Sequence, residues 1–141
     1  MTDQDVREEV DTFMFEGHDT TACALSWTLL LLANHPRVQE RIFKEQKEVF
    51  SDLEGEEFAN ADVKQEQLAK MKYLDAVVKE ALRLYPSVPL FARKIEHPFS
   101  VDGVDIPVGT TAVVMTYILH RNEKVWDRAN EFVPERFLPG N

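Results

Sequence analysis

FEGHDTTA, residues Phe15–Ala22, lies in the middle of a run whose apolar side chains recur with the period of one long helix. The run predicts a helix over Asp5–Asn34. Five weak helix formers follow one another inside it: Gly17, His18, Asp19, Thr20 and Thr21. A glycine alone costs about 1 kcal/mol relative to alanine in a helix interior. We therefore expect a local interruption of the helix here, and a function for the residues that cause it.

The composition excludes several classes of protein. The 141 residues include 16 basic and 25 acidic ones, a formal net charge of -9, whereas surfaces that follow nucleic-acid phosphates are basic. Cys23 is the only cysteine, so no internal disulfide forms. No apolar run approaches the roughly 20 residues of a membrane-spanning helix, and the acidic start has no signal-peptide pattern. We expect one partial globular domain that does not bind nucleic acid.

The remaining periodicity predicts a mainly α fold with a small β portion. A second helix follows His35, because Pro36 suits a first helical turn, and an acidic loop covers Ser51–Asp62. A third helix is predicted over Leu68–Leu84, and Pro86 ends it. Strands and a final irregular part are predicted at Ala92–Ile95, Phe99–Val101, Thr111–Tyr117 and Asn122–Asn141. The segments of the domain are thus 1–34, 35–66, 67–85, 86–121 and 122–141.

The motif KEALR, Lys79–Arg83, places Glu80 and Arg83 on one face of the third helix. An exposed ion pair of this spacing contributes only about 0 to 1 kcal/mol and needs no function. Two further arginines stand where the local sequence shows no need for one, Arg93 in FARK and Arg136 in FVPERF. This context favours a role for Glu80 and Arg83 beyond an exposed pair.

The motifs EGHDTT, KEALRLYP, FARK and FVPERF, in this order and at these separations, resemble the C-terminal part of a cytochrome P450, a haem-thiolate monooxygenase. The resemblance covers essentially the whole chain. It implies part of the cytochrome P450 fold, with a long helix on the distal face of the haem, the helices that follow it, a small β-sheet and the start of the meander coil.

The resemblance assigns the opening stretch to oxygen activation. The helix would open locally there, and Gly17 would allow close approach to the haem because it has no side chain. Asp19 and Thr20 would be the acid and the alcohol that relay protons. The alternative for Thr20 and Thr21 is a hydrogen bond from each hydroxyl to a carbonyl of the preceding turn, which has no catalytic purpose. We assign Thr21 this structural role.

Glu16 stands where most members of the family have a small residue. The stretch Val10–Ala22 resembles instead the fatty-acid ω-hydroxylase branch, family 4, in which a glutamate at this point can form an ester with a haem methyl group. A carboxylate beside a haem edge is costly to bury unless it is paired, hydrogen-bonded or consumed in a covalent bond. The alternative is an ordinary, partly solvated acid.

Glu80, Arg83 and Arg136 match the Glu-Arg-Arg cluster of the family, whose role is structural. A carboxylate between two guanidiniums satisfies several of their donors at once. Arg93 matches the arginine that pairs with a haem propionate, a use that suits a planar, always charged group. The alternative for Arg93 is an exposed strand arginine.

We predict no metal ligand in this chain. His120 is expected to be a neutral, hydrogen-bonded histidine. Cys23 lies about one turn beyond Thr20 on the distal helix, whereas the family's thiolate comes from a loop on the opposite face of the haem. That loop is expected downstream of FVPERF and is not in this sequence.

By resemblance, the reaction inserts one atom of O2 into a C–H bond of a fatty acid or similar lipophilic substrate. The implied cofactors are haem (iron protoporphyrin IX) and NADPH, whose electrons arrive through a reductase partner. The implied location is the cytosolic face of the endoplasmic reticulum membrane, through an anchor absent from this chain. We expect a fragment that is inactive alone. Two alternatives stay open: a natural truncated non-catalytic paralogue, and an acidic helical interaction domain whose motif matches are accidental.

Overall fold

The computed structural model describes residues 1–51, 53, 60 and 62–140, so most of the predicted acidic loop lies outside the described residues. The fold is mainly helical with two small antiparallel sheets, as the sequence predicts. The helices are α1 (Asp3–Asn34), α2 (Pro36–Val49), α3 (Gln65–Leu68), α4 (Lys72–Leu84), α5 (Thr116–Leu119) and a 3-10 helix (Pro134–Phe137). The strands are β1 (Phe91–Lys94), β2 (Phe99–Val101), β3 (Val104–Ile106) and β4 (Thr111–Val114).

Helix α1 is continuous over 32 residues, so the prediction that FEGHDTTA interrupts or opens it is wrong. Several hydroxyl side chains of α1 donate hydrogen bonds to main-chain oxygens of the same helix and do not disrupt its main-chain hydrogen bonds. Thr20 Oγ1 donates to the main-chain oxygen of Glu16 at 2.5 Å, and Ser26 and Thr28 each bond to the oxygen four residues earlier. The helix therefore continues through Thr20 without a break.

The predicted third helix is two helices in the structure, because α3 ends at Leu68 and α4 begins only at Lys72. The cause is a side chain from another helix. The carboxylate of Glu45 in α2 accepts the main-chain N–H groups of Tyr73 and Leu74 at 2.6 and 2.9 Å. A carboxylate at a helix N-terminus satisfies N–H groups that have no partner inside the helix, so Glu45 fixes where α4 begins.

The β portion consists of two separate pairs. Strand β1 pairs with β4, with Arg93 opposite Ala112, and β2 pairs with β3 through a two-residue turn. Asp102 and Gly103 both have positive φ, 50° and 79°, as such tight hairpins require. Strand β4 ends at Val114 rather than at the predicted Tyr117, because the chain turns into α5 there.

Helix α4 is the centre of the fold and packs against α1, α2 and the 3-10 helix. Its two apolar clusters lie on either side of Phe132, which packs against both. The buried members of the clusters are Leu31, Ala81 and Leu84 in one, and Ile42, Tyr73 and Val77 in the other.

Helix α1 instead leaves most of its apolar side chains open to solvent. Phe13 is 71% exposed and Leu29 65%, and only Thr28 and Leu31 of this helix are buried. In the part of the chain that the structure describes, no helix is long and apolar enough to cross a bilayer.

Candidate functional site

Three of the residues singled out in the sequence meet in a buried charged cluster. Glu80 is 0% exposed and Arg83 2%, so the alternative of an exposed ion pair is wrong. Arg83 binds Glu80 in a bidentate manner, Nε to Oε2 at 2.7 Å and Nη2 to Oε1 at 2.8 Å. Arg136 reaches the same carboxylate from the 3-10 helix, Nε to Oε1 at 3.1 Å. Glu80 thus lies between two guanidiniums, one from Arg83 on the same helix three residues away and one from Arg136, 56 positions later in the chain.

Arg83 also holds the coil that precedes the 3-10 helix. Its remaining N–H groups donate to three main-chain oxygens, those of His120, Ala129 and Glu131, at 2.6, 2.7 and 3.0 Å. All five donors of the guanidinium are therefore used, two for Glu80 and three for the coil. A buried arginine that is fully satisfied in this way fixes the coil relative to α4.

Glu80 ties down the same coil from the other side, since the N–H of Val133 donates to its Oε1 at 2.8 Å. Trp126 covers the cluster, with the guanidinium carbons of Arg83 and Arg136 lying 5.1 and 5.9 Å from its ring centroid. Trp126 could not be predicted as part of the cluster, because no local pattern connects it to α4.

A second charged group joins three elements and was also missed by the sequence reasoning. Arg41 of α2 contacts Glu135 at 2.8 Å, the Tyr73 hydroxyl donates to Glu135 at 3.1 Å, and Arg41 lies 4.0 Å from the centroid of the Tyr73 ring. Burial first, and then the charge and hydrogen bond of Glu135, raise the pKa of Tyr73 to about 12. The group fastens α2 and α4 to the 3-10 helix.

The predicted distal residues lie on the open side of α1, apart from the buried cluster. Glu16, Gly17 and Asp19 are exposed and Thr20 is partly buried. Thr20 lies on the same side of the helix as Glu16 and Gly17, from which it is four and three residues away, whereas Asp19 points about 100° away from Thr20. A Cβ on Gly17 would meet nothing within 4 Å, so this face is open for a flat ligand to approach.

Arg93 lies on the exposed strand β1. Among the described residues, its side chain makes one hydrogen bond, from Nη1 to the Ala92 oxygen at 2.9 Å, and its guanidinium carbon lies 5.5 Å from the Phe91 ring centroid. The guanidinium thus retains donors for a carboxylate.

His120 and Cys23, which the sequence analysis does not assign as metal ligands, lie in different parts of the fold. His120 Nδ1 lies 3.1 Å from the main-chain oxygen of Arg83 and so belongs to the coil around the cluster. Cys23 is a free cysteine on α1. Within the described residues, no three or more His, Cys, Asp or Glu side chains are grouped so as to hold a metal ion.

The whole chain, residues 1–141, matches the Cytochrome P450 family model, so this chain belongs to the cytochrome P450 family of monooxygenases. Its relatives place it with family 4 of these enzymes. It is 47% identical over 141 residues to Cytochrome P450 4c3 of Drosophila melanogaster and 48% to Cytochrome P450 4V2 of Homo sapiens, in each case over 100% of this chain. It is 43% identical over 142 residues to Cytochrome P450 4A24 of Sus scrofa.

These relatives are much longer than this chain, which spans 25%, 26% and 27% of their respective lengths. A solved structure of a zebra fish cytochrome P450, described with progesterone, superposes with a TM-score of 0.80 at 29% identity. The superposition covers 91% of this chain and 29% of that one. Family and fold are therefore those that the sequence predicts, and the four motifs are not accidental matches on an unrelated interaction domain.

Proposed function

We propose that the protein to which this chain belongs inserts one atom of O2 into a C–H bond of a fatty acid or similar lipophilic molecule. Electrons come from NADPH through a reductase partner. The observation that carries the proposal is the buried Glu80–Arg83–Arg136 cluster in a chain of this family. It matches the cluster that, by the family resemblance, would support the proximal side of the haem. When bound, haem supplies the oxygen-activating centre.

The residues of α1 suit a haem at its open face. Gly17 leaves room for a planar group, and Glu16 and Thr20 flank that room on the same face. Arg93 would pair with a haem propionate, because its guanidinium is exposed and keeps free donors.

Asp19 and Thr20 would move protons, but not by direct contact with each other. Adjacent residues of a helix do not face one another, so a water molecule must connect the Asp19 carboxylate to the Thr20 hydroxyl. Asp19 is exposed and can exchange protons with solvent. The Thr20 hydroxyl donates a hydrogen bond to the Glu16 main-chain oxygen. The lone pairs of the Thr20 hydroxyl oxygen can still accept a hydrogen bond from a water molecule on the solvent side.

Glu16 would bind haem covalently, as the likeness to family 4 suggests. Its exposed carboxylate is free to reach a neighbouring group. The Glu16 carboxylate would hold the haem through an ester to one of its methyl groups. Such an ester is a net two-electron oxidation of the carboxyl and methyl groups, so O2, reduced to water with two further electrons from NADPH, would be the oxidant. A haem fixed in this way would help to hold the less reactive end of a fatty acid chain at the reacting centre.

Location and partners follow from the same proposal. The enzyme would act at the cytosolic face of the endoplasmic reticulum membrane. There it would meet its reductase and its lipophilic substrate.

The test compares Thr20→Ala with Thr21→Ala in the complete enzyme, supplied with reductase, NADPH and a saturated fatty acid. Loss of a positioned proton relay should lower hydroxylated product per NADPH on the order of a hundredfold in Thr20→Ala, while peroxide release rises. Thr21→Ala is the matched control and should retain the parent's product yield. Equal yields in the two variants would remove Thr20 from the relay, and a parent that gives no hydroxylated product would contradict the proposed function.

A further inference from the structure

Ser87 connects the segment that follows α4 to the middle of α1. Its Oγ donates a hydrogen bond of 2.9 Å to the main-chain oxygen of Thr20, although the two residues are 67 positions apart. The hydroxyl of Thr20 bonds elsewhere, to the Glu16 oxygen. Ser87 therefore binds the main chain of Thr20 and does not occupy its hydroxyl group, whose oxygen can still accept a hydrogen bond.

The end of α4 and the segment that follows it contact α1 at three successive places, the last of which is Thr20. Successive residues after the middle of α4 contact successively earlier residues of α1: Leu84 packs with Leu31, Tyr85 stacks on Trp27, and Ser87 bonds to Thr20. The stacked rings are nearly parallel, at 6°, with centroids 4.2 Å apart. The segment thus runs antiparallel to α1 and reaches the turn that contains Gly17 and Thr20.

The segment is a firm support for such a contact. It leaves α4 directly after the buried Glu80–Arg83 pair, and Pro86 restricts its backbone. Beyond Ser87 the chain is fastened again, because Thr116 Oγ1 donates to the Val88 oxygen at 2.7 Å. The main chain is therefore fixed on both sides of Ser87, which restricts where its hydroxyl group can lie.

Loss of this hydroxyl would leave no buried polar group without a partner. The Thr20 oxygen has two lone pairs, of which one accepts the N–H four residues later in α1 and the other accepts Ser87. After Ser87→Ala the helical hydrogen bond remains. The substitution should therefore leave the fold intact and alter only how firmly this turn is placed.

We propose that Ser87 is a positioning residue for proton transfer: its hydrogen bond to the Thr20 oxygen sets the place of the Thr20 hydroxyl on the open face of α1. This inference rests on the proposed function, in which Thr20 relays protons. Ser87 touches neither substrate nor haem in this role and acts only through Thr20.

The test uses the complete holoenzyme with its reductase and four variants. Ser87→Ala and Ser87→Val remove the hydroxyl, Ser87→Thr keeps it with nearly the shape of valine, and Ser100→Ala removes a serine hydroxyl that bonds at 3.3 Å within the exposed β2–β3 hairpin. Two quantities are measured: peroxide released per NADPH oxidised, and deuterium exchange of the peptide that covers residues 15–24.

Ser87→Ala and Ser87→Val should raise peroxide per NADPH about twofold to tenfold, the range that the net strength of one hydrogen bond corresponds to. They should also speed exchange in residues 15–24, while Ser87→Thr and Ser100→Ala match the parent in both measurements. A role limited to general stability would move exchange throughout the protein and leave the peroxide ratio unchanged.

Three results would contradict this inference, and they can be told apart. Parent-like peroxide ratios in Ser87→Ala and Ser87→Val, in an enzyme that Thr20→Ala does uncouple, would overturn the role of Ser87 and leave the proposed function standing. No uncoupling in Thr20→Ala itself would overturn the proposed relay and this inference with it. Loss of haem from Ser87→Ala and Ser87→Val would make Ser87 a folding residue and would also overturn the inference.

Discussion

Removal of the Glu80 carboxylate should be among the most damaging single changes in this chain. Four hydrogen bonds end on it: two from Arg83 at 2.7 and 2.8 Å, one from Arg136 at 3.1 Å and one from the Val133 N–H at 2.8 Å. Glu80→Ala would leave the Arg83 guanidinium, only 2% exposed, without its counter-charge. Removal of one partner from a buried ion pair typically costs about 3–5 kcal/mol. This is a large share of the roughly 5–15 kcal/mol that stabilises an ordinary domain.

The assay is denaturant unfolding of the complete holoenzyme, followed through loss of the haem absorbance band. Lys79→Ala is the matched control, because Lys79 is the neighbouring residue of α4 and its 2.7 Å ion pair with Asp75 is exposed. Such a pair contributes only about 0–1 kcal/mol. Glu80→Gln, which keeps the shape but not the charge, should lie between the two if Glu80→Ala yields too little holoenzyme. The reasoning fails if Glu80→Gln and Glu80→Ala both unfold within about 1 kcal/mol of Lys79→Ala.

The remaining predictions concern Glu16 and Tyr73. If Glu16 is esterified, acid-acetone treatment of the complete enzyme should leave part of the haem on the polypeptide, and Glu16→Ala should release all of it; equal extraction from both would exclude the ester. Because the folded state raises the pKa of Tyr73 to about 12, its contribution to stability is fully present below the unfolded value of 10.0 and is lost as pH rises through about 12. Tyr73→Phe should therefore lose less stability than the parent between about pH 9 and pH 12, and parallel losses in denaturant titrations would contradict the assignment.

Local patterns were enough to predict where α1 ends and that Glu80 pairs with Arg83. Glu80 and Arg83 are three residues apart on one helix, so their pairing follows from helix geometry alone. The partnership with Arg136 came from the resemblance of FVPERF to the family's motif, since no local rule connects residues 56 positions apart. The end of α1 at Asn34 was predicted from the His35–Pro36 signal that follows it.

Features that depend on contacts between distant elements were not predicted. The break before α4 is made by Glu45, which belongs to another helix, and the wrong expectation of a third helix from Leu68 arose because the apolar period continues across the break. Strand β3 was missed because it has only three residues with Asp105 in the middle. The roles of Asp19, Thr20 and Glu16 stay predictions, because they depend on a bound haem and on protein segments outside this chain.

The most direct test of the proposed function is oxygen-isotope labelling. The complete enzyme, with reductase, NADPH and a saturated fatty acid, is incubated under 18O2 in ordinary water, and the product is analysed by mass spectrometry. The account predicts a terminally or near-terminally hydroxylated fatty acid whose new hydroxyl carries one 18O atom. A hydroxyl oxygen derived from water, or products oxidised only at internal or aromatic positions, would contradict it.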